Sequence, residues 1–140
     1  MNELLFERNE KKLQNGFNLV WVDILIDGVN LIDKIRDVEL KYDIKIAGSY
    51  SGLTPKNLYR NLTEHSSELL YPDKRQILEC ECGCDGCWSF LTGLEIENDQ
   101  VIWTNFEQVH RKDWNYEPLE PLKFGLTNYN EELEKLKNWS

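Results

Sequence analysis

Four cysteines lie within one eight-residue segment, and they have the clearest chemical potential in the chain. Cys80, Cys82, Cys84 and Cys87 follow one another at spacings of two, two and three residues. Thiolates are preferred ligands of Zn²⁺, and a C-x-x-C turn can wrap around the ion. The chain has no Lys or Arg from Gln76 to His110, so a bound cation would supply the positive charge that these thiolates lack. We therefore hypothesise one structural zinc ion at this cluster.

The sequence does not determine which groups coordinate this zinc, because one short segment cannot easily surround an ion on four sides. Three of the thiols with His110, or with a solvent molecule, form one plausible set. An alternative is that the cysteines are small buried thiols at the end of a strand. Redox or iron–sulfur chemistry is a further alternative. A nucleophilic cysteine is disfavoured, since a low thiol pKa needs nearby positive charge or a helix N-terminus.

A second segment, residues 103–114, concentrates aromatic and charged side chains. Glu107 and His110 are candidates for an acid and a base, and Arg111 is a candidate for binding an anion. Trp103 and Trp114 are candidates for a binding surface, because Trp is enriched at interface hot spots. The alternative is a strand end whose aromatic residues cover the core and whose His and Arg cap exposed carbonyl groups.

Alternating hydrophobic residues predict the strands that must position these groups. Residues 19–26 are rich in β-branched side chains and are typical of a central strand, with both faces covered. Residues 75–82 also alternate. Residues 90–97 and 101–110 flank Asn98-Asp99, which is turn chemistry, so we expect a β-hairpin there.

Capping residues and hydrophobic spacing predict the helices. Asn30 can cap a helix over residues 31–41, and Thr54-Pro55 can open a second, shorter helix. Residues 47–53 between them resemble a loop. A capping-box pattern at Asn128 predicts an amphipathic C-terminal helix. The sequence therefore predicts an α+β fold with a mainly antiparallel sheet, a β-hairpin and two or three flanking helices, including that C-terminal helix.

Composition limits the possible class of protein. The chain has 140 residues, 41% of them hydrophobic, which is enough for one core, so we expect residues 1–140 to form a single domain. The formal net charge of -9 disfavours nucleic acid and anionic membranes as partners. No apolar run approaches bilayer length, and the acidic N-terminal residues do not resemble a secretion signal. We therefore expect a cytoplasmic protein with reduced cysteines.

Three motifs together resemble an uncharacterised family of small bacterial proteins. They are the D-I-L-I-D-G run at residues 23–28, CG-x-x-GCW at residues 82–88 and W-x-x-F-x-Q-x-H-R at residues 103–111. The resemblance covers residues 19–129. It implies a bacterial, cytosolic, single-domain protein and no particular chemistry. It draws attention to three of the candidate ligands, Cys82, Cys87 and His110.

Two functions remain in competition. The first is a non-enzymatic protein-binding module that neutralises a basic partner, such as a secreted nuclease toxin. Its acidity would steer it toward a cationic surface, because complementary charge raises association rates. The second is a small enzyme whose site joins the cysteine turn to Glu107, His110 and Arg111, with or without zinc activating water. A structural protein with a metal-stapled loop is a third, simpler alternative.

Overall fold

A computed structural model of the protein describes residues 1–64, 71, 73–81 and 88–140. In that part of the chain, three α-helices accompany two sheets whose paired strands are all antiparallel. The first sheet has the order β1-β2-β3, with β1 Leu4–Lys12, β2 Asn18–Ile26 and β3 Val29–Asn30. The second sheet runs in sequence order through β4 Tyr50–Gly52, β5 Arg75–Cys80, β6 Phe90–Glu97, β7 Gln100–Gln108 and β8 Leu122–Gly125.

The helices are α1 Leu31–Glu39, α2 Pro55–Thr63 and α3 Leu126–Trp139, and a short 3-10 helix covers Glu117–Leu119. The predicted α+β class, the antiparallel pairing and the C-terminal helix are confirmed. Among the described residues, no helix combines the length and the apolar character needed to cross a bilayer.

The strand β2 is central to its sheet, as the alternation of residues 19–26 predicts. Its side chains at Val22, Ile24 and Ile26 are buried. The opposite face is only partly covered, because Leu19 is 52% exposed. The prediction that both faces are covered is therefore wrong at the start of this strand, where β2 extends past the core together with β1.

The hairpin of β6 and β7 forms where Asn98-Asp99 predicts it. Both turn residues have positive φ, 50° and 59°, which is the geometry of a type I′ turn and matches the twist of the strands. A β-bulge follows in β7, because Leu91 pairs with Glu107 whereas Gly93 pairs with Thr104. Asn105 provides the extra residue with φ 54°, so Phe106 and Gln108 both face the core and are buried.

The segment predicted as a loop at residues 47–53 contains a strand, β4. Three residues are too few to show an alternating pattern, so only pairing with β5 reveals this strand. Gly52 lies against the backbone of Val22, where a Cβ atom would collide with the Val22 carbonyl oxygen. Val22 N–H donates to Leu53 O at 2.9 Å, so the two sheets are joined directly at this point.

The predicted caps of α1 and α2 are confirmed, whereas that of α3 is wrong. Asn30 Oδ1 accepts from Ile32 N–H at 2.9 Å, and Thr54 Oγ1 accepts from Asn57 N–H at 3.2 Å. The third helix begins earlier than predicted, with Gly125 at the N-cap position. The side chain of Asn128 instead bonds to another element, the strand β1.

Helix α3 covers the first part of the β1 edge through its side chains. Asn128 Oδ1 accepts from Leu4 N–H at 2.9 Å, and Asn128 Nδ2 donates to Leu4 O at 3.0 Å. Phe6 N–H donates to Glu132 Oε1 at 2.7 Å, and Lys135 Nζ donates to Phe6 O at 3.0 Å. These side chains replace a neighbouring strand, so this part of the edge is not open to another chain.

Replacing Asn128 by Ala tests this covering. Asn128→Ala removes both hydrogen bonds to Leu4, so we expect the free energy of unfolding in urea to fall by about 1 to 2 kcal/mol. The matched control is Asn138→Ala, an exposed position on the same helix, which should change stability by less than about 0.5 kcal/mol. Equal losses in the two variants would contradict the covering role of Asn128.

Candidate binding site

Two of the candidate residues, Glu107 and Arg111, lie at one end of the five-stranded sheet. Leu78 pairs with Phe90, and Phe90 pairs with Gln108. Neighbouring antiparallel strands run in opposite directions, so the end of β5, the start of β6 and the end of β7 lie side by side at this end of the sheet. Trp88 and Arg111 are therefore brought close together, although 23 positions separate them in the sequence.

Behind this end of the sheet lies a fully buried carboxylate, that of Glu39 at the end of α1. Glu39 Oε2 accepts from Tyr50 Oη at 2.6 Å and from Tyr116 Oη at 2.5 Å. Glu39 Oε1 accepts from Gly48 N–H at 2.9 Å. A buried carboxylate is stable only when donors satisfy its oxygens, and three donors from two segments of the chain do so here.

The two tyrosines hold their protons strongly in this environment. Burial is the main cause that raises the pKa of Tyr50, and the negative charge of Glu39 raises it further. Burial likewise raises the pKa of Tyr116, followed by its interactions with Tyr50 and Glu39. Both hydroxyl groups therefore stay protonated and act as hydrogen-bond donors to the carboxylate.

A glutamine connects this buried group to the surface. Gln108 is almost completely buried, and its Nε2 donates to Tyr50 Oη at 3.3 Å. Its Oε1 accepts from Arg111 Nη1 at 3.0 Å. A chain of hydrogen bonds thus runs from the Glu39 carboxylate through Tyr50 and Gln108 to the Arg111 guanidinium, and it fixes the position of that cation.

Two indole rings lie close to the Arg111 guanidinium. The guanidinium carbon lies 5.4 Å from the ring centroid of Trp88 and 5.4 Å from that of Trp114. Trp114 stacks in turn on Tyr42, with 5.0 Å between centroids and 10° between planes. Trp88 Nε1–H donates to Ser49 O at 3.0 Å. We call these four residues, Tyr42, Trp114, Arg111 and Trp88, the aromatic stack.

An open groove of about 340 Å³ adjoins the aromatic stack at Trp114. Two of its carboxylates have partners within the protein. Glu107 pairs with Lys74 at 2.9 Å, and Glu120 accepts from Phe106 N–H at 2.9 Å. The ionisable side chains that line it are Lys74, Glu107, Lys112, Asp113, Glu117 and Glu120. We call this feature the acidic groove, since its carboxylates outnumber its ammonium groups by four to two.

Searches against protein-family models, curated proteins and solved structures each found no match.

The structure separates the candidate residues of segment 103–114. Trp103 is fully buried and donates from Nε1 to Tyr129 Oη at 3.2 Å, so it belongs to the core and not to a surface. Trp114 and Arg111 lie in the aromatic stack, and Glu107 lies in the acidic groove. His110 is exposed just after β7.

The zinc hypothesis stays a prediction. Cys80 is buried at the end of β5 and pairs with Tyr50 across the sheet. The other candidate thiols, Cys82, Cys84 and Cys87, lie outside the described residues. Where the structure describes side chains, no group of three His, Cys, Asp or Glu residues is arranged to hold a metal ion.

Sequence reasoning missed Glu39, Tyr50, Gln108 and Tyr116. One signal for Glu39 was available, because it lies four residues after the apolar Ile35 on the predicted helix. This spacing places a carboxylate on the buried stripe of the helix, where a partner is required. The other three residues have no local signal, since their shared contact joins distant segments.

Replacing Glu39 by Gln tests the buried network. An amide has one acceptor oxygen, so it cannot accept from both the tyrosine hydroxyls and Gly48 N–H. We expect Glu39→Gln to reduce the free energy of unfolding by about 2 kcal/mol. Asp37→Asn, at an exposed position on the same helix, is the matched control and should change stability little. A Glu39→Gln variant as stable as the control would show that the carboxylate is not required.

The tyrosine pKa shifts predict a loss of stability at high pH. In the unfolded chain a tyrosine loses its proton near pH 10, whereas burial raises the pKa of Tyr50, Tyr116 and Tyr129 in the folded protein. Above about pH 10 the folded state therefore binds more protons than the unfolded state, and stability falls as pH rises.

We expect the Tm measured by circular dichroism to decrease between about pH 9 and about pH 11. Tyr116→Phe, which removes one of the buried hydroxyl groups, should show a shallower decrease than the wild type. A Tm independent of pH over that range would contradict the burial of these hydroxyls.

Proposed function

We propose that this protein is a non-enzymatic protein-binding module that takes a basic partner in the acidic groove, beside the aromatic stack. The groove and the stack share Trp114, so together they form one continuous surface. Tyr, Trp and Arg are the residue types that dominate binding energy at protein interfaces. Neutralisation of the partner would follow from covering its cationic surface.

The observation that carries the proposal is the pair of exposed carboxylates next to an indole ring. Asp113 and Glu117 are both exposed, and Trp114 forms part of the same groove. An incoming arginine side chain can bond its guanidinium to such carboxylates and place its planar face on an aromatic ring. The acidic groove therefore has the chemistry to accept a cationic side chain of a partner.

The rigidity of the surface also supports binding. The guanidinium of Arg111 is held by Gln108 and by two indole rings before any partner arrives. Side chains that are already ordered lose less conformational entropy when a complex forms. The aromatic stack is thus prepared for contact in the unbound protein.

The enzyme alternative has less support in the geometry. It requires Glu107 and Arg111 to act on one substrate together with His110. Glu107 is instead paired with Lys74 at 2.9 Å, and Arg111 bonds to Gln108 at 3.0 Å. Each of these two charges has a separate partner within the protein, which is typical of a structural role.

Charge also favours a basic partner. The net charge of -9 creates a field that attracts cationic surfaces over distances comparable to the Debye length, about 10 Å at moderate ionic strength. Such steering raises the association rate more than it raises the affinity. Binding should therefore depend strongly on salt.

A labelled oligoarginine peptide tests this proposal by fluorescence anisotropy. We expect saturable binding that weakens as salt is added. The double variant Asp113→Asn with Glu117→Gln removes two charges from the acidic groove and should weaken binding about fivefold to tenfold.

The matched control is Glu95→Gln with Glu97→Gln. It removes the same charge from exposed positions at the turn end of the β6–β7 hairpin, which is the end opposite Glu107. This variant should bind almost as well as the wild type. Equal weakening in the two double variants would show that overall charge attracts the peptide and that the acidic groove is not the site.

A further inference from the structure

The edge of β1 is open beyond the residues that α3 covers. The backbone groups of Leu4 and Phe6 point outward to α3 side chains, so the backbone N–H and C=O groups of even-numbered residues face the edge. Consistent with this alternation, Glu3 O and Leu13 N–H bond inward, to Asp27 N–H and Phe17 O. The backbone groups of Arg8, Glu10 and Lys12 therefore face outward, and among the described residues no other strand pairs with β1 there.

This open stretch extends beyond the core. Arg8, Glu10, Lys11 and Lys12 are exposed, and β2 behind them begins with the exposed Asn18 and Leu19. An accessible edge of this kind is a template for pairing with an added strand. The side chains along the edge decide which strand it would accept.

The charges along β1 complement the same strand read in the opposite direction. Residues 7–11 read Glu, Arg, Asn, Glu, Lys. When two copies pair antiparallel about Asn9, Glu7 lies opposite Lys11 and Arg8 lies opposite Glu10. The two-fold symmetry repeats each pair, so four pairs of opposite charge form and none of like charge. Directly opposed residues share a face of the sheet and attract each other when their charges differ.

The neighbouring registers are unfavourable. A shift that keeps the outward backbone groups opposed moves the centre of pairing to Arg8 or to Glu10. The first places Arg8 opposite its own copy, and the second places Glu10 opposite its own copy and Arg8 opposite Lys12. Charges on an edge strand usually prevent association. Here they disfavour the adjacent registers and favour the one centred on Asn9.

We propose that two copies of this chain associate through the β1 edge, in antiparallel register about Asn9. The two three-stranded sheets then continue as one sheet of six strands. The outward N–H and C=O groups of Arg8 bond to those of Glu10 in the second copy. Pairing is confined to residues 7–11, because α3 side chains occupy the edge up to Phe6. The short contact makes this a weak dimer.

Charge exchange tests the register by sedimentation velocity from micromolar to millimolar concentration. We expect concentration-dependent dimer formation in the wild type. Lys11→Glu places a glutamate opposite Glu7 at both symmetry-related positions of the dimer. The dimer Kd should therefore rise about tenfold or more. Glu7→Lys should have the same effect. The double variant Glu7→Lys with Lys11→Glu restores both pairs and should restore the dimer.

Mixing the two single variants is a sharper test. Each variant alone has like charges opposed, whereas in a mixed dimer the two lysines of the Glu7→Lys chain face the two glutamates of the Lys11→Glu chain. Dimers should therefore appear on mixing, at the wild-type affinity. Circular dichroism shows whether each variant is folded. A wild type that stays monomeric at millimolar concentration would overturn the proposal, as would a dimer that charge exchange leaves unchanged.

Disulfide trapping tests the centre of pairing independently. Asn9 alone would face its own copy, as a pair without backbone hydrogen bonds, at a Cα separation of about 4.5 Å that a disulfide can span. Asn9→Cys should form a covalent dimer under mild oxidation. In the matched control Arg8→Cys, the new thiol lies opposite Glu10. This variant should form no more covalent dimer than the wild type forms. Equal trapping of the two variants would exclude this register.

The association is separable from peptide binding. The residues exchanged in β1 lie outside the acidic groove and the aromatic stack, so Lys11→Glu should retain affinity for oligoarginine. Conversely, Asp113→Asn with Glu117→Gln should retain the dimer. Either proposal can thus fail while the other stands.

Discussion

The meeting of helix α1, strand β4 and the chain after β7 depends on one buried carboxylate. Glu39 is fully buried, and its oxygens are satisfied by Gly48 N–H and by the hydroxyls of Tyr50 and Tyr116. Burying a carboxylate without such donors costs several kcal/mol, so the donors are a condition for the fold. They come from two segments, one at the edge strand β4 and one after β7, and Glu39 itself ends α1, so these three parts of the chain must meet at this point.

Gln108 connects this buried network to the surface by hydrogen bonds. Its amide donates to Tyr50 Oη and accepts from Arg111, whose guanidinium lies close to two indole rings. The core thereby determines where a cation and three aromatic rings are presented beside the acidic groove. A rigid surface built on buried polar contacts suits recognition, because it needs little ordering when a partner binds.

The backbone groups along the outer edge of β1 are covered only in part, because the α3 side chains bond to them no further than Phe6.

Local patterns were sufficient for elements with a clear period or cap. The alternation in β2, the Asn98-Asp99 turn and the caps at Asn30 and Thr54 all identify elements that the structure contains. The strand β1 has no such signal, because most of its residues are polar on both faces. The helix cap predicted at Asn128 is wrong, since its residue type suits a cap while its real partner, Leu4, is more than a hundred positions away.

The sequence by itself determined the α+β class, the β6–β7 hairpin and the acidity, because period, turn chemistry and charge are local or summed properties. Only the tertiary structure decided that Trp103 lies in the core while Trp114 stacks on the surface, although both belong to one aromatic-rich segment. It also decided that Glu39 joins two tyrosines. Contacts between distant segments depend on strand order and on a bulge at Asn105, and neither is encoded in the spacing of nearby residues.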